Sequence, residues 1–384
     1  MRYTKALIFL LIILLSHCRT GDPEISYPDG TANEYSNRFI IEQHEGYSRL
    51  TVKDPWQGAE GSRFIYYITT DISNIPAGVE RSGIILRPVE KIICTSTTHV
   101  AMLAALESTD LIEGVSGSGF IYNKKLRKRT DKGKVHDIGY ESSYNTELIY
   151  SLQPDVVLVY GIGSESAPAF RRLSDMGIPV LYIADYLEDH PLARTEWIKV
   201  YGELLGKQDM AEEIFRSVSM EYNSILTRIT DAEIERPSVM LGMPFKDKWF
   251  ISPGNSYISK LIEDAGGRYL WAGTESAVSI PMSIEAVCQK GVAADIWLNP
   301  GSAGTIRDIH LVDPRLSSLP AASEGRVFNN NRRLNEYGGN DYWESGVVNP
   351  HLLLKDIARI LNPNLFRDHE LIYYTELKQS EDSR

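Results

Sequence analysis

The chain runs to 384 residues, beyond the size at which a single hydrophobic core stops growing, so two lobes are expected. With 43% hydrophobic and 24% charged residues it has the composition of an ordinary soluble globular protein. Its net charge of −11 disfavours nucleic acid or an anionic membrane surface as partner, because neither releases counterions against a negative surface.

The first element is a leader. Arg2 and Lys5 precede residues 6–15, an apolar run too short to span a bilayer but suited to the core of a signal peptide. It ends at Leu15-Ser16-His17-Cys18, which resembles a bacterial lipoprotein signal: small residues, then a cysteine that is lipidated and becomes the mature amino terminus. His17 departs from that pattern, where a small residue is usual. Residues 1–18 are therefore read as the signal peptide, with Cys18 as the lipid anchor on the periplasmic side of a bacterial membrane.

After a polar linker, residues 40–50 and 64–69 are aromatic and β-branched, separated by Asp54-Pro55-Trp56-Gln57-Gly58. They predict a hairpin-rich addition within residues 19–88. From Lys91 the rhythm changes. Strands are predicted at 92–94, 112–115, 156–160 and 180–184, and helices at 100–106, 147–152 and 169–175, with Thr97 and Thr98 as caps of the first. The basic run at 124–129 is read as a solvated loop. Residues 195–205 and 209–230 read as helices broken only at Gly206; the second would extend about 33 Å, a bridge rather than a flexible linker. Strand and helix then alternate again: strands at 239–243, 296–298 and 327–329, helices at 257–265, 284–290 and 351–361. The charged tail after Asp368 is expected to fray.

Two distant stretches say the same thing. Asn145-Thr146-Glu147-Leu148-Ile149 leads through a spacer to Asp155 and an apolar run at 156–159, while Ser283-Ile284-Glu285-Ala286-Val287 leads to Asp295 and 296–298. Each is a short helix with an early glutamate, a turn, then an aspartate opening a strand buried on both faces. Two copies predict two similar lobes, each displaying one glutamate at an equivalent place. Cys94, in a strand of one lobe, and Cys288, on a helix of the other, are then buried thiols rather than a disulfide. Neither has a CxxC or histidine neighbour at metal-ligand spacing.

From about Val89 to Pro363 the chain resembles the periplasmic substrate-binding proteins that serve ABC importers of vitamin B12, haem and ferric siderophores. The resemblance is carried by residues 91–98 at the first strand, 152–158, 173–180, Asp264-Ala265-Gly266-Gly267 and the bridging helix. The run from Asp185 to Trp197 also looks typical of versions from Bacteroidetes-like bacteria. It implies two α/β lobes, residues 89–190 and 236–367, joined by one long helix within 191–235, closing little on a bulky ligand, with 368–384 as the tail. It also implies no intrinsic cofactor, a cobalt- or iron-containing chelate as ligand, and no enzymatic activity. Glu147 and Glu285 would meet arginines on the two halves of a permease dimer, which works with ATPase subunits.

Candidate ligand-binding residues follow. Tyr140 comes after Gly139 and seven residues before Glu147, where the haem-binding branch of that family supplies a phenolate iron ligand; with 21 tyrosines in the chain, an aromatic wall is the competing reading. Trp249 falls where a cleft loop of the second lobe is expected. Arg332, Arg333, Tyr342 and Trp343 follow a late strand, and loops at strand carboxyl ends are where α/β sheets bind ligands. An arginine there would meet propionates, amides or phosphate. Among eight histidines no HxH or HExxH occurs. His99 is read as a satisfied structural residue, and His136 and His190 as loop residues within reach of a cleft. The alternative from another class is a secreted enzyme with a dinucleotide-like turn at Gly161-Ile162-Gly163 and Asp185 as ribose partner, although Ser166 stands where the third glycine belongs.

Overall fold

In the computed structural model of the chain, residues 33–140, 143–161 and 167–379 are described. Cys18 and its leader, and Ile162 and Gly163 of the glycine turn, lie outside the described residues.

The addition is a four-stranded sheet in the order β1 (Phe39–His44), β2 (Tyr47–Lys53), β3 (Arg63–Thr69), β4 (Ile84–Leu86), antiparallel except for the β3–β4 pair. Along β2 every second residue is buried, so Ser48, Leu50 and Val52 face inward. Three buried glutamates hold this sheet to the rest of the chain. Glu196 accepts the backbone N–H groups of Glu34, Tyr35 and Ser36 at 2.8–2.9 Å. Glu188 accepts from the Ser36 hydroxyl and the Trp197 indole, and Glu203 pairs with Arg87 and accepts from Ser48. Buried carboxylates survive because each is fully engaged.

The first lobe is a parallel sheet in the order β7-β6-β5-β8-β9: β5 (Ile92–Cys94), β6 (Ile112–Val115), β7 (His136–Asp137), β8 (Val156–Tyr160) and β9 (Val180–Ile183). The second has β10 (Ser238–Leu241), β11 (Lys248–Ile251), β12 (Arg268–Tyr269), β13 (Ile280–Ser283), β14 (Ile296–Leu298), β15 (Val327–Asn329) and β16 (Thr375–Glu376). Its main sheet runs β12-β10-β14-β15-β16, parallel except at β16, while β11 and β13 form an antiparallel ribbon.

The internal repeat is real in three dimensions. Asp155 accepts the N–H groups of Glu90 and Lys91 at the mouth of β5, and Asp295 accepts the N–H and hydroxyl of Ser238 at the mouth of β10. Each aspartate therefore ties the strand it opens to the neighbouring parallel strand. The Ser238 bonds also hold Asp295 below the usual carboxylate range.

Between the lobes, helices Pro191–Glu196 and Ile198–Leu205 lead into the long helix Gln208–Thr230, whose 23 residues extend about 35 Å. Gly206 ends the preceding helix at φ 66°, a left-handed conformation that glycine adopts without strain. Gly202 lets the two helices touch, since a Cβ there would lie 2.6 Å from that of Ala211. The long helix packs on Ile198–Leu205 and on the closing helix Pro350–Leu361, so the lobes share one stiff connection.

Three expectations are corrected. The basic run belongs to a helix, Lys124–Asp131, capped by Asn123; Arg127 and Arg129 reach back to the carbonyls of Ser118 and Thr109. Ser96, rather than Thr97 or Thr98, caps the first helix of the lobe. The segment after Asp368 does not fray at once: Tyr373, Tyr374 and Leu377 are buried, and β16 pairs with β15. Buried Asp356 accepts the N–H groups of Ile372 and Tyr373 at 2.7–3.0 Å and takes a 2.6 Å contact from His369, which fastens the segment.

A cleft at the carboxyl ends of two parallel sheets

In each lobe the strand order reverses direction between two central strands, β5 and β8 in the first and β10 and β14 in the second. Such switch points leave a crevice beyond the strand carboxyl ends. The loops that follow β6, β8, β9, β10 and β15 all emerge on that edge.

Three hydrogen-bonded contacts join the lobes there. Glu344, buried, accepts the N–H groups of Tyr122 and Asn123 at 2.7 and 2.8 Å. Asn335 Nδ2 donates to the carbonyls of Ile121 and Gly119, and the Thr97 hydroxyl donates to the Trp343 carbonyl. Burial, helped by the charge of Asp341 and opposed by the two N–H groups, raises the Glu344 carboxyl to about 7.

A cavity of about 720 Å³ opens among three walls. The added sheet supplies the turn with Asp54, Trp56 and Gln57; the first lobe supplies Tyr186, and the helix Pro191–Glu196 that follows it supplies Arg194; the second lobe supplies Phe250, Asn255, Tyr257, Asn299, Tyr342 and Trp343. Its floor in the second lobe is the Leu241-Gly242 turn at the end of β10, held by two buried indoles: Trp249 donates to the Leu241 carbonyl at 2.9 Å and Trp297 to that of Gly242 at 2.8 Å.

The predicted residues fall in different places. Tyr342 and Trp343 line the cavity, edge to face at 4.7 Å, with Tyr342 buried and Trp343 52% exposed. Trp249 is a correction: it is fully buried against Trp297 and supports the floor without reaching the ligand space. Its neighbour Phe250 points the other way, half exposed, into the cavity. Arg333 is a latch residue, paired with Asp341 at 2.9 Å and lying over the rings of Tyr122 and Tyr373. Arg332 is exposed and anchored through its backbone N–H to the Tyr373 carbonyl. Tyr140 does not line this cavity; it follows β7 on the loop side of the first lobe, 46% exposed, with Phe120 5.5 Å away.

Other expectations also change. His99 is buried with neither ring nitrogen hydrogen-bonded, and burial lowers its pKa to about 3, so it stays neutral. His190 caps Pro191–Glu196 by accepting the Leu192 N–H and stacks on Tyr35, while His136 lies exposed in β7. Among the described residues no three His, Cys, Asp or Glu side chains are grouped to hold a metal ion. Gly161, the start of the dinucleotide-like turn, is covered by Pro55 and Trp56 of the added sheet and accepts the Tyr186 hydroxyl. Asp185 is buried with neither oxygen hydrogen-bonded; burial raises its pKa against the opposing pull of the Arg194 charge.

Sequence reasoning missed Tyr160, Tyr186, Arg194, Tyr257 and Glu344. Tyr160 and Tyr186 meet edge to face at 4.3 Å, and Arg194 lies over the Tyr257 ring at 4.8 Å. Burial raises the Tyr160 phenol to about 12, so it stays protonated. The signal for Tyr186 and Arg194 was the run from Asp185 to Trp197, whose members build both the cavity and the clamp on the added sheet.

Glu147 and Glu285 occupy matching places, each exposed in the first turn of a helix that leads into a parallel strand, β8 or β14. A helix running back between parallel strands begins at their carboxyl edge, so both glutamates sit on the cleft side of their lobes. Glu285 pairs with Arg315 at 2.9 Å, which holds it below the usual carboxylate range; Glu147 has no ion pair among the described residues.

Two α/β lobes on one long helix, with a crevice at facing switch points, define a bilobed solute-binding protein whose lobes hinge little. The periplasmic binding protein family model matches residues 92–332, and the chain belongs to that family. It is 24% identical over 297 residues to an uncharacterised lipoprotein of Methanocaldococcus jannaschii, covering 75% of this chain and 68% of that protein. Among solved structures it is similar to a periplasmic haem-binding protein from Pseudomonas aeruginosa, at 17% identity and a TM-score of 0.57, covering 77% of this chain and all of that one. It is equally similar to a molybdate-bound periplasmic binding protein from Haemophilus influenzae, at 18% identity and a TM-score of 0.57, covering 76% and 93%.

Proposed function

We propose that this chain is the substrate-binding component of an ABC importer, capturing a metal chelate, cobalamin or a ferric siderophore, and delivering it to a membrane permease. The carrying observation is the set of exposed aromatic rings on the cleft side of both lobes. Phe120 and Tyr140 stand on the first lobe; Phe250, Tyr337 and Trp343 stand on the second, each about half exposed. Aromatic side chains open to water at a crevice are suited to a large, rigid, partly planar ligand, because they bury much area for little lost rotamer entropy. The single stiff connection suits a bulky ligand that is gripped with little closure. Membrane attachment through Cys18 belongs to the same proposal, and lipoprotein processing adds enough acyl chain to anchor stably.

Haem is the second reading, favoured by the exposed position of Tyr140 beside Phe120. A phenolate is a hard anionic donor suited to ferric iron. Optical titration of the purified chain with haemin, cyanocobalamin and a ferric siderophore separates the readings. Haem held by Tyr140 gives a high-spin ferric spectrum that disappears in Tyr140→Phe. Cyanocobalamin or siderophore binding without a haem spectrum leaves Tyr140 as a wall, and Tyr140→Phe then changes affinity by no more than about threefold.

A further inference from the structure

Arg194 is a buried cation whose side chain has no hydrogen-bonding partner among the described residues. It is 8% exposed, its Nε has no hydrogen-bond partner, and its guanidinium makes no side-chain hydrogen bond or ion pair among the described residues. The group lines the cavity, resting over the Tyr257 ring. Buried guanidinium groups are ordinarily matched with carboxylate or phosphate oxygens, for which their fork of donors is shaped. Asp185 feels the arginine through space without an ion pair between them, and burial favours its neutral form.

The surroundings complete an anion site. Ser252, Asn255 and Asn299 line the same space and bring neutral polar groups. The acids on the wall do not compete closely: Asp54 is engaged by the Gly61 N–H, Glu188 by Ser36 and Trp197, and Glu60 and Asp189 are exposed to water. The third wall comes from outside the two lobes. Gln57, on the turn of the added sheet, reaches the Ala277 carbonyl of the second lobe at 3.5 Å, while Arg38 fastens that turn to the Leu187 carbonyl of the first.

We propose that this cavity is a ligand subsite that takes one carboxylate or oxyanion group against Arg194, with the turn of the added sheet closing it. The inference deepens the proposed function and rests on it: the anionic group is either part of the chelate or a separate oxyanion. A metal chelate with a free carboxylate would place its aromatic or macrocyclic body toward the rim and its acid toward Arg194. The added sheet, which lies outside the family match, then sets which ligands fit.

Calorimetric titration of the full chain and of Arg194→Gln tests this with three probes: ferric citrate, which carries carboxylates; ferrioxamine, a trihydroxamate without them; and molybdate, a free oxyanion. Ferric citrate affinity should fall about thirtyfold or more in Arg194→Gln, with ferrioxamine unchanged. Molybdate binding that is lost in the variant makes the source a free oxyanion and, with no chelate bound, refutes the chelate reading while the subsite stands. Ferric citrate binding that is indifferent to Arg194 overturns the subsite and leaves the chelate reading intact. Binding of none of the three overturns the subsite, while the chelate reading still stands on cyanocobalamin. Circular dichroism checks that the variant is folded; where it is not, Arg194→Lys keeps the charge but loses the fork, and unchanged affinity for citrate and molybdate overturns the subsite.

Discussion

Reversing Glu147 and Glu285 together to lysine should cut chelate uptake by about a hundredfold or more while leaving chelate affinity within about twofold. The two glutamates are exposed on the cleft side of separate lobes, where a permease dimer would meet one with each half. Charges so placed orient a partner and speed encounter, and like charges brought face to face cost several kcal/mol. Two reversals therefore act on docking far more than on folding, since exposed substitutions usually stay within about 0.5 kcal/mol. Glu285 also leaves Arg315, but that surface pair contributes little, and Arg315 keeps Asp313 at 2.6 Å. Single reversals should each give a partial loss. Uptake of labelled chelate into cells whose only copy carries the double variant reads the effect, and normal uptake would remove these residues from docking.

A second large effect concerns the latch. Glu344 has its carboxyl raised to about 7 in the folded chain from an ordinary 4.5, chiefly by burial. Between those two values the folded chain holds a proton that the unfolded chain has lost. Stability therefore falls as pH rises through this window, by roughly 3 kcal/mol in total from this group. His99 works in the opposite sense. Its pKa is depressed to about 3, so its contribution is present above 6.5 and lost as pH falls toward 3. The bare pH profile is thus a sum of opposed slopes, and the difference between the wild type and Glu344→Gln isolates the glutamate. Denaturant unfolding at pH 5.0 and 7.5 should show the wild type losing roughly 2–3 kcal/mol more than the variant over that interval. Equal changes in both would mean that Glu344 titrates in the ordinary range.

The parallel sheets were legible because a strand buried on both faces is a short, mostly apolar run between turns. Residues 92–94, 112–115, 156–160, 296–298 and 327–329 match their strands end for end. The two-residue strands β7, β12 and β16 were not legible, since so short a strand is defined by its partner rather than by its own pattern. The segment around Tyr373 was read as tail because nothing local announces that Asp356, on the closing helix, will collect its amides.

The site was half legible for a related reason. Tyr342 and Trp343 could be placed because they follow a strand at its carboxyl end. Trp249 could not, because it sits in a ribbon where successive side chains face opposite ways; a shift of one residue exchanges the buried Trp249 for Phe250, which does line the cavity. Nothing local marks Arg194 as a site residue, because its burial depends on packing against the second lobe and the added sheet. Glu344 was hidden likewise, since its partners at 122 and 123 lie in the other lobe.

The most direct test of the central claim is a count of metal. The purified chain is incubated in turn with cyanocobalamin, haemin, ferric citrate and ferrioxamine, passed through gel filtration, and its cobalt and iron are measured against protein. The account predicts that at least one chelate is retained at close to one metal per chain, as a dissociation constant of micromolar or tighter requires. Metal no higher than that of an unrelated protein, for all four, would contradict capture of a metal chelate.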